Sequence, residues 1–301
     1  MKKSIKHWIL AIRPWSFPAS NVPVLATTAY VGYWCRQNGM EPDLLNSLLC
    51  GIMLVLLQAS ANLMGDYYDY ERQSGTTTKI PSALQYLRDG LFTLREVRNY
   101  GTTLLVLAFI VTIALLWRIG FGTGWVEITW LMFPFVYPRL QYHWAGHLWG
   151  LLLFAMLPAL SVGHAMTGQY MWQPVVVSTA FGFITAAMLH ASRMHSLLQE
   201  QRQAADPSIT PCCPISSKYI YISELSLAYV LVVVLVILRI APMLSLIVLL
   251  SIPFAYRNVR YAMRVEVLSV RAIRPLDVRT AQLLMAFGML YTQSFVLTIF
   301  L

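Results

Sequence analysis

The chain has 301 residues, 57% of them apolar and 12% charged, with a mean hydropathy of +0.59 and a formal net charge of +9. So much apolar surface excludes an ordinary soluble domain and points to an integral membrane protein. The basic excess is spread over loops rather than gathered into one patch. It therefore reads as membrane orientation and attraction to anionic lipid, about 1 kcal/mol per basic residue near the surface, with no nucleic acid implied.

From the N-terminus, Met1 to Leu10 briefly imitates a signal peptide, but the apolar core is short and Arg13-Pro14 follows at once. An uncleaved interfacial helix is expected, with Lys2, Lys3 and Lys6 outward and Trp8, Ile9 and Ile12 toward lipid. Apolar runs then predict nine spans, near 18–35, 44–64, 101–118, 122–138, 147–166, 174–194, 220–239, 241–256 and 280–300. Prolines and glycines interrupt the first and fourth of these. Placing the N-terminus inside leaves only Arg36, Arg118 and Arg239 of the 22 Lys and Arg residues outside. That asymmetry predicts nine spans with the N-terminus cytoplasmic and the C-terminus outside. The expected fold is all-α: one transmembrane domain over 1–301, its helices bundled around a cytoplasm-facing polar cavity.

Two long cytoplasmic segments follow spans two and six, 65–100 and 195–219. Thr93 and Glu96 have the spacing of a capping box, so a short helix is expected from Thr93 through Asn99. Cys212 and Cys213 are adjacent in the second segment, where thiols stay reduced, and no CxxC occurs, so the cysteines are assigned no role. Most of the nine tryptophans fall near span ends, as interface anchors do.

The chemistry concentrates in Asn62-Leu-Met-Gly-Asp66-Tyr-Tyr-Asp69-Tyr70, where the second span meets water. On a continuing helix Asp66 and Asp69 share one face. Paired carboxylates with Asn62 one turn before them suit Mg²⁺, which takes oxygen ligands and shares them with substrate phosphates. The alternative is a solvated helix end whose charges only mark the interface. Tyr67, Tyr68 and Tyr70 either line a cation path or pack at the interface.

These motifs resemble those of the UbiA-type intramembrane prenyltransferases, in particular the branch acting on 1,4-dihydroxy-2-naphthoate in menaquinone synthesis. Arg13-Pro-Trp-Ser16-Phe-Pro18 resembles that family's Arg-Pro-x-Thr-x-Pro opening, and Asn62 to Asp69 its first metal motif. Arg88-Asp-Gly90 through Glu96, Tyr142 through Gly168 with Pro158, and Thr280-Ala-Gln-Leu with Phe287-Gly-Met-Leu resemble later helices in the family's order. The resemblance implies that Asp66 and Asp69, with Asn62, hold Mg²⁺ on a polyprenyl diphosphate; Arg13, Lys79 and Arg193 are the candidate diphosphate contacts, while basic residues on this face are also what membrane orientation requires. It further implies an allylic cation attacked by an aromatic or quinone-precursor acceptor, a prenyl tail in a lipid-facing groove, and a bacterial inner-membrane location.

The sequence departs from the family where chemistry is expected. Gly65 replaces an Asn, and the third acidic residue of the first motif is missing around Ser74 to Thr76. The second motif survives only as remnants after His190, with Ser192, Arg193, His195, Ser196 and Glu200 at its specified positions. Gly146-His147 stands where Gly-Glu is usual, and His143 and His147 are acceptor-site candidates. One Mg²⁺ site at most is therefore expected. Two functions follow: an active prenyltransferase, or a non-catalytic relative that binds isoprenoid lipid or a partner. A transporter fits poorly, since no span centre carries a charge.

Overall fold

The computed structural model describes residues 4–73, 87, 90–121, 124–140, 146–203, 214–263 and 275–301. Among them every regular element is helical. Seven segments are long and apolar enough to cross a membrane: Leu44–Glu71, Leu94–Ile119, Trp149–Thr167, Gln173–Ala191, Lys218–Ile237, Met243–Met263 and Leu276–Phe300. They coincide with seven of the nine expected spans. The other two regions are helical but of different character. Pro18–Gln37 (α2) is a 20-residue helix with Pro23 inside it. The 122–138 region gives two short helices, Trp125–Trp130 (α5) and Phe133–Leu140 (α6), parted by a turn at Leu131 and Met132 just before Pro134. Pro134 has no N–H to return to Trp130 O and is tolerated only in the first turn of a helix, so one helix ends at Trp130 and a new one starts at Phe133.

The chain divides into two compact units, Met1–Asn21 with Asp43–Trp144, and Val22–Pro42 with Ala145–Leu301. In the first, Ile5–Ala11 (α1) starts at a capping box in which the Ser4 hydroxyl accepts from Lys6 N–H and Ser4 N–H donates to His7 Nδ1. Trp8 does not face lipid as expected. Its ring lies edge-on to Phe92 at 4.5 Å and to Tyr100 at 5.1 Å, and Ile12 joins the same apolar cluster. Burying an indole against aromatic rings wins over leaving it at the interface; Ile9 stays half exposed. Leu44–Gln73 (α3) packs on Leu94–Ile119 (α4), which runs unbroken through the short helix and third span expected separately. The capping box at Thr93 and Glu96 starts it, with Thr93 N–H donating to Glu96 Oε2 at 2.8 Å. Gly101 lets the two helices approach: a Cβ there would stand 3.3 Å from Leu63 Cβ, while Ser60 donates to the Gly101 carbonyl at 2.9 Å. Along α4, Val106, Phe109, Ile110 and Trp117 are exposed, the face a lipid-bathed helix presents.

At its other end α3 is capped by Asp43, which accepts from Asn46 N–H at 3.0 Å and from Arg118 Nη2 at 2.8 Å. The Asn46 N–H and then Arg118, against partial desolvation, hold the Asp43 carboxyl below the usual range. A depressed carboxylate contributes stability above its unfolded pKa of about 3.9 and loses it as pH falls through the folded value. Asp43→Ala should therefore cost about 1 kcal/mol at neutral pH, a difference that closes in strong acid. Melts in detergent at both pH values check this, and a gap independent of pH would contradict it.

In the second unit two prolines set local helix geometry. Gly146–Leu151 (α7) leads into a widened turn over Leu152–Met156, where Leu157 N–H reaches back to Leu152 O, before Leu157–Thr167 (α8) resumes. Pro158 has no N–H for Phe154 O, and the extra residue in the turn accommodates that loss. Gln173–Gln203 (α9) lies close over this turn, with Ser178 donating to Ala155 O at 3.1 Å. Pro214–Ile237 (α10) is followed by a tightly wound stretch over Met243–Ser251 and by Ile252–Met263 (α11). There Leu249 O, denied a donor by Pro253, accepts instead from Ile252 N–H. Pro275–Phe300 (α12) completes the unit. Its Phe287, Tyr291 and Phe295 join Tyr30 of α2, Phe181 of α9 and Tyr229 of α10 in a run of ring contacts, with centroids 4.7–5.8 Å apart.

Candidate functional site

A polar stripe runs up the α3 helix inside the first unit. Gln58, Asn62 and Asp66 are spaced four apart, so they lie on one face. Each reaches the connection between α1 and α2. Gln58 Nε2 donates to Ser16 O at 2.9 Å, and the Ser20 hydroxyl donates to Gln58 Oε1. Asn62 Nδ2 donates to Ile12 O at 2.9 Å and to Ser16 Oγ at 3.0 Å, while Ser16 Oγ donates to Arg13 O at 2.9 Å. Asp66, 2% exposed, pairs with the guanidinium of Arg13.

Arg13 is held in an unusual backbone state, with φ 54° and ψ 63°. For a residue without glycine's freedom such a state costs on the order of 1–3 kcal/mol and persists only when its surroundings over-determine it. Here the hydrogen bonds from Asn62 and Gln58 and the turn over Pro14–Ser16 do so. The effect is to aim a cation at Asp66, near the C-terminal end of α3.

α3 continues to Gln73, well past the apolar run, so Asp69 follows Asp66 by almost one turn on the same helix, partly buried. Tyr67 and Tyr70 pack against the apolar cluster under α1, and Tyr67 donates to Glu71 Oε1 at 3.3 Å. The packing role is the one their surroundings support.

Among the described residues no three His, Cys, Asp or Glu side chains gather into a metal cage. Two carboxylates less than a turn apart nevertheless fit a single Mg²⁺ that draws its other oxygens from phosphate and water. The donor set suits an ion bound with a diphosphate and does not suit one held by protein alone. Asn62 uses its amide nitrogen on the α1–α2 connection, through Ile12 O and Ser16 Oγ, which leaves its carbonyl oxygen as the atom that could join the donor set.

The remaining sequence candidates are placed only in part. Lys79, His143 and the Ser74–Thr78 stretch lie outside the described residues. His190 is buried on α9, which carries Ser192, Arg193, His195, Ser196 and Glu200 on its backbone, but those five side chains and that of His147 are outside the description. Gln58 and Ser20 had no role from sequence. The available signal was a polar residue four before Asn62 within an otherwise apolar run. Glu224 likewise carries no sequence signal of a role. It is 6% exposed on α10, and neither carboxylate oxygen has a hydrogen-bond partner among the described residues.

Residues 25–272 match the model of the UbiA prenyltransferase family. The chain belongs to that family. UbiA prenyltransferase domain-containing protein 1 of Mus musculus is 25% identical over 96% of this chain and 84% of its own length. The Homo sapiens protein of the same name is 26% identical over 98% and 85%. Among solved structures, a UbiA homolog from Archaeoglobus fulgidus bound to DMAPP and Mg²⁺ has a TM-score of 0.54 at 14% identity, covering 95% of this chain and 99% of that one. A structure described as giving insights into digeranylgeranylglyceryl phosphate synthase in membranes has a TM-score of 0.57 at 17% identity, covering 97% and 98%. At such identities the structural matches show a shared fold. The UbiA family is one of prenyltransferases, so its membership and the apolar helices make this an integral membrane protein of the transferase type.

Proposed function

We propose that the chain transfers a polyprenyl group from a prenyl diphosphate to an aromatic or quinone-precursor acceptor in the membrane. The observation that carries this is the pairing of Asp66 with Arg13 near the C-terminal end of α3, with Asp69 just under one turn on. The full proposal is one domain over 1–301 with nine spans around a cytoplasm-facing polar cavity, N-terminus inside. Its support is the basic asymmetry together with the family model's reach across most of the chain. Lys79 and Arg193 enter as further diphosphate contacts on sequence grounds alone, as does a menaquinone-type acceptor.

Asp66 and Asp69 would hold the Mg²⁺. When bound, the ion supplies positive charge to the diphosphate oxygens as the donor ionises. Arg13 adds a planar cation matched to phosphate geometry. The stripe fixes the main chain from which that side chain extends, so the cation is already beside the site when the diphosphate binds. The loss of the second acidic motif favours a second reading, a relative that binds isoprenoid lipid without turnover.

Binding of a non-hydrolysable polyprenyl diphosphate analogue, with and without Mg²⁺, in wild type and Asp66→Asn tests the proposal. Mg²⁺-dependent binding weakened at least about tenfold by the substitution is expected. Binding indifferent to both would leave the non-catalytic reading.

A further inference from the structure

We propose that Arg13 is an exchangeable counter-ion for Asp66, so that Mg²⁺ enters this site together with a diphosphate rather than ahead of it. The inference rests on the prenyl-diphosphate reading above and adds an order of binding and roles for Gln58, Asn62 and Ser16.

The carboxylate most deeply set in the site already carries a cation. Asp66 is 2% exposed, and its Oδ1 accepts from Arg13 Nη2. A divalent ion approaching alone must either displace that guanidinium or sit beside it against like-charge repulsion. The two partners are not equally fixed. The Asp66 side chain is enclosed on a long helix, whereas the Arg13 side chain is 27% exposed and has the longer reach. Arg13 is therefore the member that moves.

What would move it is a better anion. A diphosphate offers the guanidinium two or more oxygens in the paired geometry it favours, and at higher charge than one carboxylate. As Arg13 turns to the diphosphate, the Asp66 oxygen it held opens to the metal, and the metal in turn neutralises the same diphosphate. Each ligand thus removes an obstacle to the other, and such coupling is reciprocal. The main chain of Arg13 need not shift. Its carbonyl accepts from Ser16 Oγ, and its neighbours Ile12 and Ser16 are bonded to Asn62 and Gln58. Gln58 and Asn62 are accordingly positioning residues, which keep the pivot of the swinging side chain fixed.

The test uses the full chain in lipid nanodiscs and Mn²⁺, an oxygen-seeking stand-in for Mg²⁺ whose binding is read by electron paramagnetic resonance. The diphosphate probe is a methylene-bridged geranyl diphosphate analogue. Wild type should bind Mn²⁺ at least about tenfold more tightly with the analogue than without it. The informative variant is Arg13→Asn, because asparagine tolerates a left-handed backbone and carries no charge. It should bind Mn²⁺ alone about tenfold more tightly than wild type, bind the analogue more weakly, and lose most of the coupling. Arg13→Lys, which keeps the charge, should leave Mn²⁺ affinity near the wild-type value. A merely structural role for Arg13 would weaken both ligands together.

An Arg13→Asn protein that binds Mn²⁺ alone no better than wild type overturns the inference while leaving the diphosphate reading intact. Should that variant fail to fold, the wild-type titration decides: Mn²⁺ affinity unchanged by a bound analogue is equally fatal to the inference. An analogue that binds under no condition takes down the functional reading as well.

Discussion

Asp66→Ala should reduce prenyl transfer by more than about 100-fold, the scale lost when a preorganised electrostatic contact to a developing anion is removed. Two effects act together. The site loses the carboxylate that would hold Mg²⁺, and the guanidinium of Arg13 loses the partner that holds it in place. Removing one member of a buried ion pair costs about 3–5 kcal/mol where both charges are enclosed, and Arg13 is partly exposed, so the lower end or less is expected for stability. Asp69→Ala separates the two contributions. Asp69 is less buried than Asp66 and its loss leaves the Arg13–Asp66 pair in place, so transfer should fall with a smaller change in the melting transition. Initial rates and detergent melts on both variants check the contrast. Equal destabilisation by the two substitutions would contradict the distinct role given to Asp66.

The second large effect is on the fold. Gly182 lies on α9 over the widened turn of Leu152–Met156, where an added Cβ would stand 2.8 Å from Ala155 Cβ and 2.5 Å from Leu151 Cδ1. The leucine tip can give way, but the alanine is fixed to a helix whose carbonyl is already bonded to Ser178. Gly182→Val should therefore destabilise the second unit by about 2–3 kcal/mol, the upper range for overpacking a close contact. Gly163→Ala is the matched control. Its Cβ would meet Pro174 Cγ at 3.4 Å, an ordinary contact, and little change is expected. Melts that rank the two variants in the opposite order would refute the packing argument.

How much of this was legible in sequence depended on the length scale of each cause. Long apolar runs marked directly the seven described segments that are long and apolar enough to cross a membrane, because burial in lipid is a property of a whole window. The helical placement of Asp66 and Asp69 was equally legible, since α3 runs unbroken through both positions. Elements shaped by single prolines were half legible. Pro134 announced a break in the fourth region, but the tight winding before Pro253 needed the backbone to be seen. What could not be read was contact across sequence distance. Nothing local to Gln58 says that its amide meets Ser16 and Ser20, about forty residues earlier. Arg13-Pro14 hinted at a restricted backbone, yet the left-handed turn and its aim at Asp66 arise only when α3 supplies the hydrogen bonds. Trp8 was misplaced for the same reason, as its partners Phe92 and Tyr100 lie on another segment.

The most direct measurement is release of inorganic diphosphate and appearance of prenylated product by the purified chain in nanodiscs. The assay supplies a prenyl diphosphate, Mg²⁺ and a set of hydroxylated aromatic acceptors. Product formed in step with diphosphate, lost on chelating Mg²⁺ and lost in Asp66→Asn, is the predicted result. A chain that binds the diphosphate but yields no product with any acceptor, with or without Mg²⁺, would contradict the account of Asp66 and Arg13 as catalytic machinery.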